Sequence, residues 1–131
     1  MLKRLLRGYP HWSNGHRILA EERLEHNDVA QAYSASRCYQ ALVATKPHER
    51  AHSNLLIAKC YLRRGDWQMA LAALSQALKD SPQSPAILEE LAAAHMLGGN
   101  YAEAKYSLEQ IAHEKLSPQA KAALAFARTK A

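Results

Sequence analysis

His48-Glu49-Arg50-Ala51-His52 reads as H-E-x-x-H, two imidazoles four residues apart with a carboxylate between them. On a helix, residues i and i+4 share a face, so both histidines can reach one zinc ion, and the glutamate can act as the general base of a hydrolase. Three features count against that chemistry. Pro47 stands just before His48 and places the first imidazole in the fraying first turn of a helix. Arg50 puts a charge between the two histidines. Catalytic zinc takes three protein ligands and an open position, and no third ligand stands at a fitting place in the chain. The run therefore reads first as a joint between helices and only second as a zinc hydrolase built on His48, Glu49 and His52.

The other chemistry-bearing residues are scattered. His11, His16, His26, His95 and His113 form no spaced set, and such histidines are ordinarily surface or half-buried polar residues. Cys38 and Cys60 are too few for a disulfide framework or a zinc ribbon and read as reduced thiols in a helical core. There is no Ser/His/Asp set, no Gly-rich phosphate loop and no carboxylate pair set in a cleft. Glu21-Glu22 and Glu89-Glu90 read as solvated helix faces. The expectation is a protein that is not an enzyme and needs no cofactor or metal.

Composition says what must position these side chains. The 131 residues are 48% apolar, enough for one modest core. Leu and Ala dominate that apolar set, and both lose little side-chain freedom in a helix, so the expected class is all-α. No apolar stretch approaches the roughly 20 residues that span a bilayer. The opening MLKRLLRGYP is basic but has no apolar segment or cleavage site of a secretory signal, which points to the cytoplasm. Residues 1–66 hold 11 Lys/Arg against 6 Asp/Glu, and residues 67–131 hold 6 against 6, so the net charge of +5 lies in the first half. That bias permits an acidic partner without making nucleic acid the expected one.

The chain repeats itself. Gly65-Asp66-Trp67 returns as Gly99-Asn100-Tyr101 after 34 residues, with Ala70 matching Ala104 and Leu74 matching Leu108. Asn27-Asp28-Val29 and Ala32 match again 38 residues upstream, and Ser84-Pro85 matches Ser117-Pro118 at a spacing of 33. A period near 34 in a helix–turn–helix unit is the mark of a solenoid. In each unit Asn27, Gly65 or Gly99 can take the left-handed backbone that ends a first helix. Asp28, Asp66 or Asn100 can then cap the second. Ser84-Pro85 and Ser117-Pro118 restart helices, with Ser as cap and Pro in the first turn. The four extra residues of the 38-residue spacing are assigned to the second helix of the first unit, about 28–45. Arg23 and His95 stand where the second unit has Tyr61, which should weaken packing in units one and three. Trp67 and Tyr101 read as packing residues, and Trp12, in a turn after Tyr9-Pro10, as a staple between the first two helices.

These residues carry a resemblance to the tetratricopeptide repeat family. They are Ile57-Ala58, Tyr61, Gly65-Asp66-Trp67, Ala70, Leu74, Ala77-Leu78 and Pro82 in the middle unit. Leu91-Ala92, Gly99, Tyr101, Ala104 and Leu108 follow in the next, and Leu19-Ala20, Asp28 and Ala32 in the first. The resemblance implies a right-handed superhelical solenoid of antiparallel helix hairpins, about eight helices in a single domain over 1–131. It divides as a partial repeat (1–10), repeats at 13–50, 51–84 and 85–117, and a C-terminal capping helix (118–131).

The same resemblance implies a protein–protein interaction module that binds a peptide or partner helix in a concave groove. Its groove positions fall on Arg17, Glu21 and Leu24, then on His52, Leu55, Lys59, Leu62 and Arg63, then on Glu89, Ala93 and Met96. The positions that clamp a chaperone's C-terminal carboxylate in one subclass carry Arg17, Glu21, Leu56, Ala86 and Glu90, and two carboxylates there would repel such a ligand. An alternative expectation is self-assembly, with residues 1–10 of one copy docking on 118–130 of another.

Overall fold

Asn27, Gly65 and Gly99 all hold left-handed backbone, with φ of 58°, 77° and 78°. In this computed structural model, which describes residues 2–130, each ends a first helix at the position expected from the repeat. The same closing bond recurs one residue later. The backbone N–H groups of Asp28, Asp66 and Asn100 donate to the carbonyls of Arg23, Tyr61 and His95 at 2.8, 2.9 and 2.7 Å. This five-residue reach is the closure that satisfies a helix's last carbonyls. Asp28 and Asp66 then accept from the N–H groups of Gln31 and Met69 and so cap the second helices. Asn100 makes no such side-chain bond.

The elements are α1 (Leu2–Gly8), α2 (Ser13–Glu25), α3 (Val29–Leu42), α4 (Pro47–Arg63), α5 (Trp67–Asp80), α6 (Pro85–Leu97) and α7 (Tyr101–Glu109). A single 3-10 turn at His113–Lys115 and α8 (Pro118–Lys130) complete the chain. All regular structure among the described residues is helical, as the Leu/Ala bias requires. Successive helices pack as antiparallel neighbours, and α2, α4, α6 and α8 also touch in sequence, so they form one layer. The helices α1, α3, α5 and α7 form the second. None of the helices is long and apolar enough to cross a membrane.

The extra four residues lie elsewhere than expected. Helices α3 and α5 are both 14 residues long, whereas α4 has 17 against 13 for α2 and α6. The added turn is therefore at the start of α4, in the Pro47–Arg50 segment, and the expected break at 50/51 falls inside that helix. Four residues make about one turn, so the addition keeps the apolar face in phase wherever it goes.

Small residues let the two layers close. Ala32, Ala70 and Ala104 have no exposed surface, and Leu74 and Leu108 fill the space beside them. Tyr61 and Tyr33 join α4 to α3, their rings edge to face at 5.7 Å and their hydroxyls 3.2 Å apart. The Arg23 and His95 substitutes do less: Arg23 Nε and His95 Nδ1 are buried without a hydrogen-bond partner. A buried polar atom with no partner loses its hydration, which is the physical form of the weaker packing expected there. Trp12 does staple the start of the chain. Its ring lies over Gly15 beside Leu6, so closely that a Cβ on Gly15 would fall 2.5 Å from the ring.

Candidate partner-binding face

The layer of first helices carries a polar seam. Arg17 and Glu21, one turn apart on α2, pair at 2.8 Å through Nη1 and Oε1. From α4, His52 brings Nε2 to 3.7 Å from the other oxygen of Glu21, too long for a hydrogen bond. The His52 ring stands edge-on to Tyr39 with centroids 6.1 Å apart, and its Nε2 is buried with no hydrogen-bond partner. Burial is the main force that holds the His52 imidazole below its ordinary affinity for protons; Glu21 opposes it, and Arg17 and Lys59 add to it. Burial likewise pushes the Tyr39 phenol up, with Glu49 adding to the shift.

Lys59 follows two turns along α4. It is half-buried and joins no ion pair within 4 Å among the described residues. Its charge reaches Glu90 on α6, whose carboxyl is raised by burial while Lys59 pulls it back. Glu90 is thus held in the fold rather than on a solvated face. The seam from Arg17 to Glu90 crosses three helices and mixes both signs of charge.

The structure separates the other expected groove residues into those that face out and those that do not. Leu24 and Leu55 are 5% and 6% exposed and belong to the core, so they present no surface to a partner. Helix α4 packs on α2, α3, α5 and α6 at once, and a helix so surrounded buries a wide arc. Arg63 is exposed, but its Nη1 donates to the Leu24 carbonyl at 3.0 Å and the Asn27 side chain at 3.3 Å. It ties the end of α2 to α4. Glu89 accepts from both the hydroxyl and the backbone N–H of Ser117, at 2.8 and 3.2 Å, and so anchors the start of α8. Ala93 is exposed, while Leu62 and Met96 are half-buried at the edges of their clusters.

The H-E-x-x-H run takes three directions. Pro47 opens α4 and His48 is exposed. Arg50 turns to Asp80 on α5, with Nε to Oδ2 at 2.9 Å and Nη2 to Oδ1 at 2.6 Å. His52 turns to Glu21 and Tyr39. Among the described residues no three His, Cys, Asp or Glu side chains converge on a point that suits a metal ion. Of the two thiols, Cys60 is buried, which raises its pKa, but Cys38 is exposed and not in the core as expected.

Tyr39 is the residue that sequence reasoning left out of the face, while Glu90, expected on a solvated helix face, is half-buried. Tyr39 lies on a second helix, where the repeat pattern assigns packing, and nothing local marks its contact with His52. A Gln40–Asn54 bond of 3.0 Å and the Arg50–Asp80 pair frame a separate cavity of about 380 Å³.

An all-helical stack of hairpins with left-handed turns and adjoining first helices is a repeat solenoid. Residues 61–125 match the family model described as "Tetratricopeptide repeat". The chain is a tetratricopeptide repeat protein. Its fold is similar to that in a crystal structure of the TPR domain of P58(IPK), with a TM-score of 0.81 and 21% identity over 98% of this chain. The match covers 36% of that other chain, so this chain spans about a third of its length. No curated protein matches the sequence. Repeats of this family are generally non-enzymatic protein–protein interaction modules.

Proposed function

We propose that the face of first helices binds a protein partner, as an extended peptide or a helix laid across α2, α4 and α6. Arg17, Glu21, His52, Lys59, Leu62, Ala93 and Met96 are the contact residues of this reading, with Glu90 beside Lys59. The observation that carries it is the state of the seam's middle. Among the described residues His52 Nε2 is buried with no hydrogen-bond partner, and Lys59, two turns further along α4, has no ion pair. Polar groups left unmatched by the fold are those a ligand can match. Arg63, Glu89, Leu24 and Leu55 leave the contact set because the fold already uses them.

Lys59→Glu reverses a seam cation that makes no ion pair among the described residues. Affinity capture from the native host should recover a protein with the wild-type chain and lose most of it with Lys59→Glu, both chains having the same helical spectrum. Equal recovery by the two chains would remove the seam from the binding reaction.

A further inference from the structure

The cavity framed by the Arg50–Asp80 and Gln40–Asn54 pairs is built by three helices, and its volume of about 380 Å³ is in the range of small-ligand sites. Gln40 comes from α3, Arg50 and Asn54 from α4, and Gln76, Lys79 and Asp80 from α5. None of the contact residues proposed for the first-helix face lines it. Asn54 is the member that packing alone does not call for. It is only 8% exposed, and 34 residues later, at the matching place in α6, the chain has Leu88 in its core. A buried amide costs stability unless its polar atoms are met. Gln40 Nε2 meets the Asn54 side-chain oxygen at 3.0 Å. The Asn54 Nδ2 group, at the cavity, donates to no acceptor among the described residues.

The charges around the cavity leave one cation over. Arg50 gives Nε and Nη2 to the two oxygens of Asp80, and Nη1 to the Ala44 carbonyl. That guanidinium and carboxylate cancel, and each Asp80 oxygen already accepts a bond. Lys79 is exposed at the cavity and joins no ion pair among the described residues. The unmatched donors are therefore the Lys79 ammonium and the Asn54 Nδ2 group, against the Gln40 oxygen as acceptor. Gln76 supplies one group of each kind. Donors outnumber acceptors, and they carry a single positive charge.

We propose that this cavity is a second binding site, separate from the first-helix face, and that its ligand is a carboxylate of single charge. The carboxylate accepts from the Lys79 ammonium and from the Asn54 and Gln76 amides, bonds that the charge of the ligand strengthens. Its carbon chain lies along Ala44 and the methylene stem of Lys79. A phosphate monoester suits the place less, because its greater charge exceeds that of Lys79 and stands beside Asp80. A free carboxylic acid and the acidic side chain of a protein present the same group.

The test titrates the full isotope-labelled chain with hexanoate, a free acid, and with acetyl-glutamate amide, which stands for a protein side chain. Hexanamide and acetyl-glutamine amide are their uncharged counterparts. The NMR signals of the Asn54 and Gln76 side-chain amides report the site. At least one carboxylate should shift both signals saturably, with a Kd of about 10 mM or tighter, and the tighter of the two names the source. The uncharged counterparts should bind about tenfold more weakly, and Lys79→Gln, at an exposed position, should weaken the carboxylate by about the same factor. Asn54→Leu, which copies Leu88 of the next unit, should weaken it as well, read at Gln76. Lys59→Glu should leave the binding unchanged, which separates this site from the first-helix face. The proposal is overturned if neither carboxylate saturates the shifts, or if the uncharged counterparts bind equally well. It is also overturned by inorganic phosphate binding more tightly than both carboxylates, or by affinity that Lys79→Gln leaves unchanged.

Discussion

Arg50 and Asp80 hold each other through two parallel hydrogen bonds, at 2.9 and 2.6 Å, and so fasten the first turn of α4 to the last turn of α5. The same guanidinium also donates to the Ala44 carbonyl at 2.8 Å in the turn before α4. The middle residue of a run that resembles a zinc motif is thus a strap for the extra turn of α4. A fork-to-fork pair of this kind fixes direction as well as distance.

That strap gives a pH signature. The Arg50 hydrogen bonds are the main cause that holds the Asp80 carboxyl below its ordinary value of 3.8. A depressed carboxylate stabilises the fold above that value and loses its contribution as pH falls through the native one. Asp80→Asn should lower the urea midpoint at pH 7. The gap to wild type should narrow below about pH 4. A gap that persists or widens in acid would mean that the charge on Asp80 is not what the strap uses.

The histidines act in the same direction at higher pH. Burial lowers the proton affinity of His52 and His95 from the usual 6.5, with Glu21 and Glu103 respectively opposing it. The unfolded chain then takes protons first, so stability present above about pH 6.5 is lost as pH falls. Glu90, raised from 4.5 by burial, contributes the opposite slope, and the informative quantity is each variant minus wild type. His52→Gln and His95→Gln should each flatten the loss of stability between about pH 7 and pH 5. An unchanged slope in the double variant would contradict the burial of both rings.

Gly98 and Trp67 form a close contact between successive hairpins. A Cβ on Gly98 would lie 2.8 Å from two atoms of the indole ring. Gly98→Ala should destabilise the protein by about 1–3 kcal/mol, the usual range for overpacking. The loss should shrink when Trp67→Leu is made in the same chain, because residues in contact are not additive. Chemical denaturation of the four chains measures the coupling, and strict additivity would show that the ring has room to move.

Leu74 has no exposed surface and packs with Ala70, Ala77 and Ala58 between α5 and α4. Leu74→Ala should cost about 2–5 kcal/mol, as a cavity opens among small neighbours that cannot collapse into it. A Tm within the error of wild type would place the core elsewhere.

The hairpin frame was legible because Gly65-Asp66-Trp67 and its equivalents mark turns whose backbone needs special residues, and the backbone obeyed them. The placement of the extra turn was not, since four residues preserve helical phase at either end of the spacing. The face was legible only by helix. Leu24 and Leu55 were read as groove residues and are core, because the repeat position names a side of the helix but not how many neighbours surround it. Arg63 and Glu89 were read as free charges and instead bind the Leu24 carbonyl and Ser117, partners far away in sequence. Tyr39 carries no local mark for the same reason, and the burial of Glu90, expected on a solvated face, likewise depends on neighbours far away in sequence.

The most direct measurement is site-specific photo-crosslinking in the native host. A photoreactive residue replaces Ala93, exposed on the first-helix face, or Ala72, exposed on α5 in the other layer. Both substitutions leave the core untouched. The account predicts a discrete crosslinked protein from position 93 that disappears with Lys59→Glu, and none from position 72. Crosslinking from 72 alone, or equally from both, would contradict a partner held on the face of first helices.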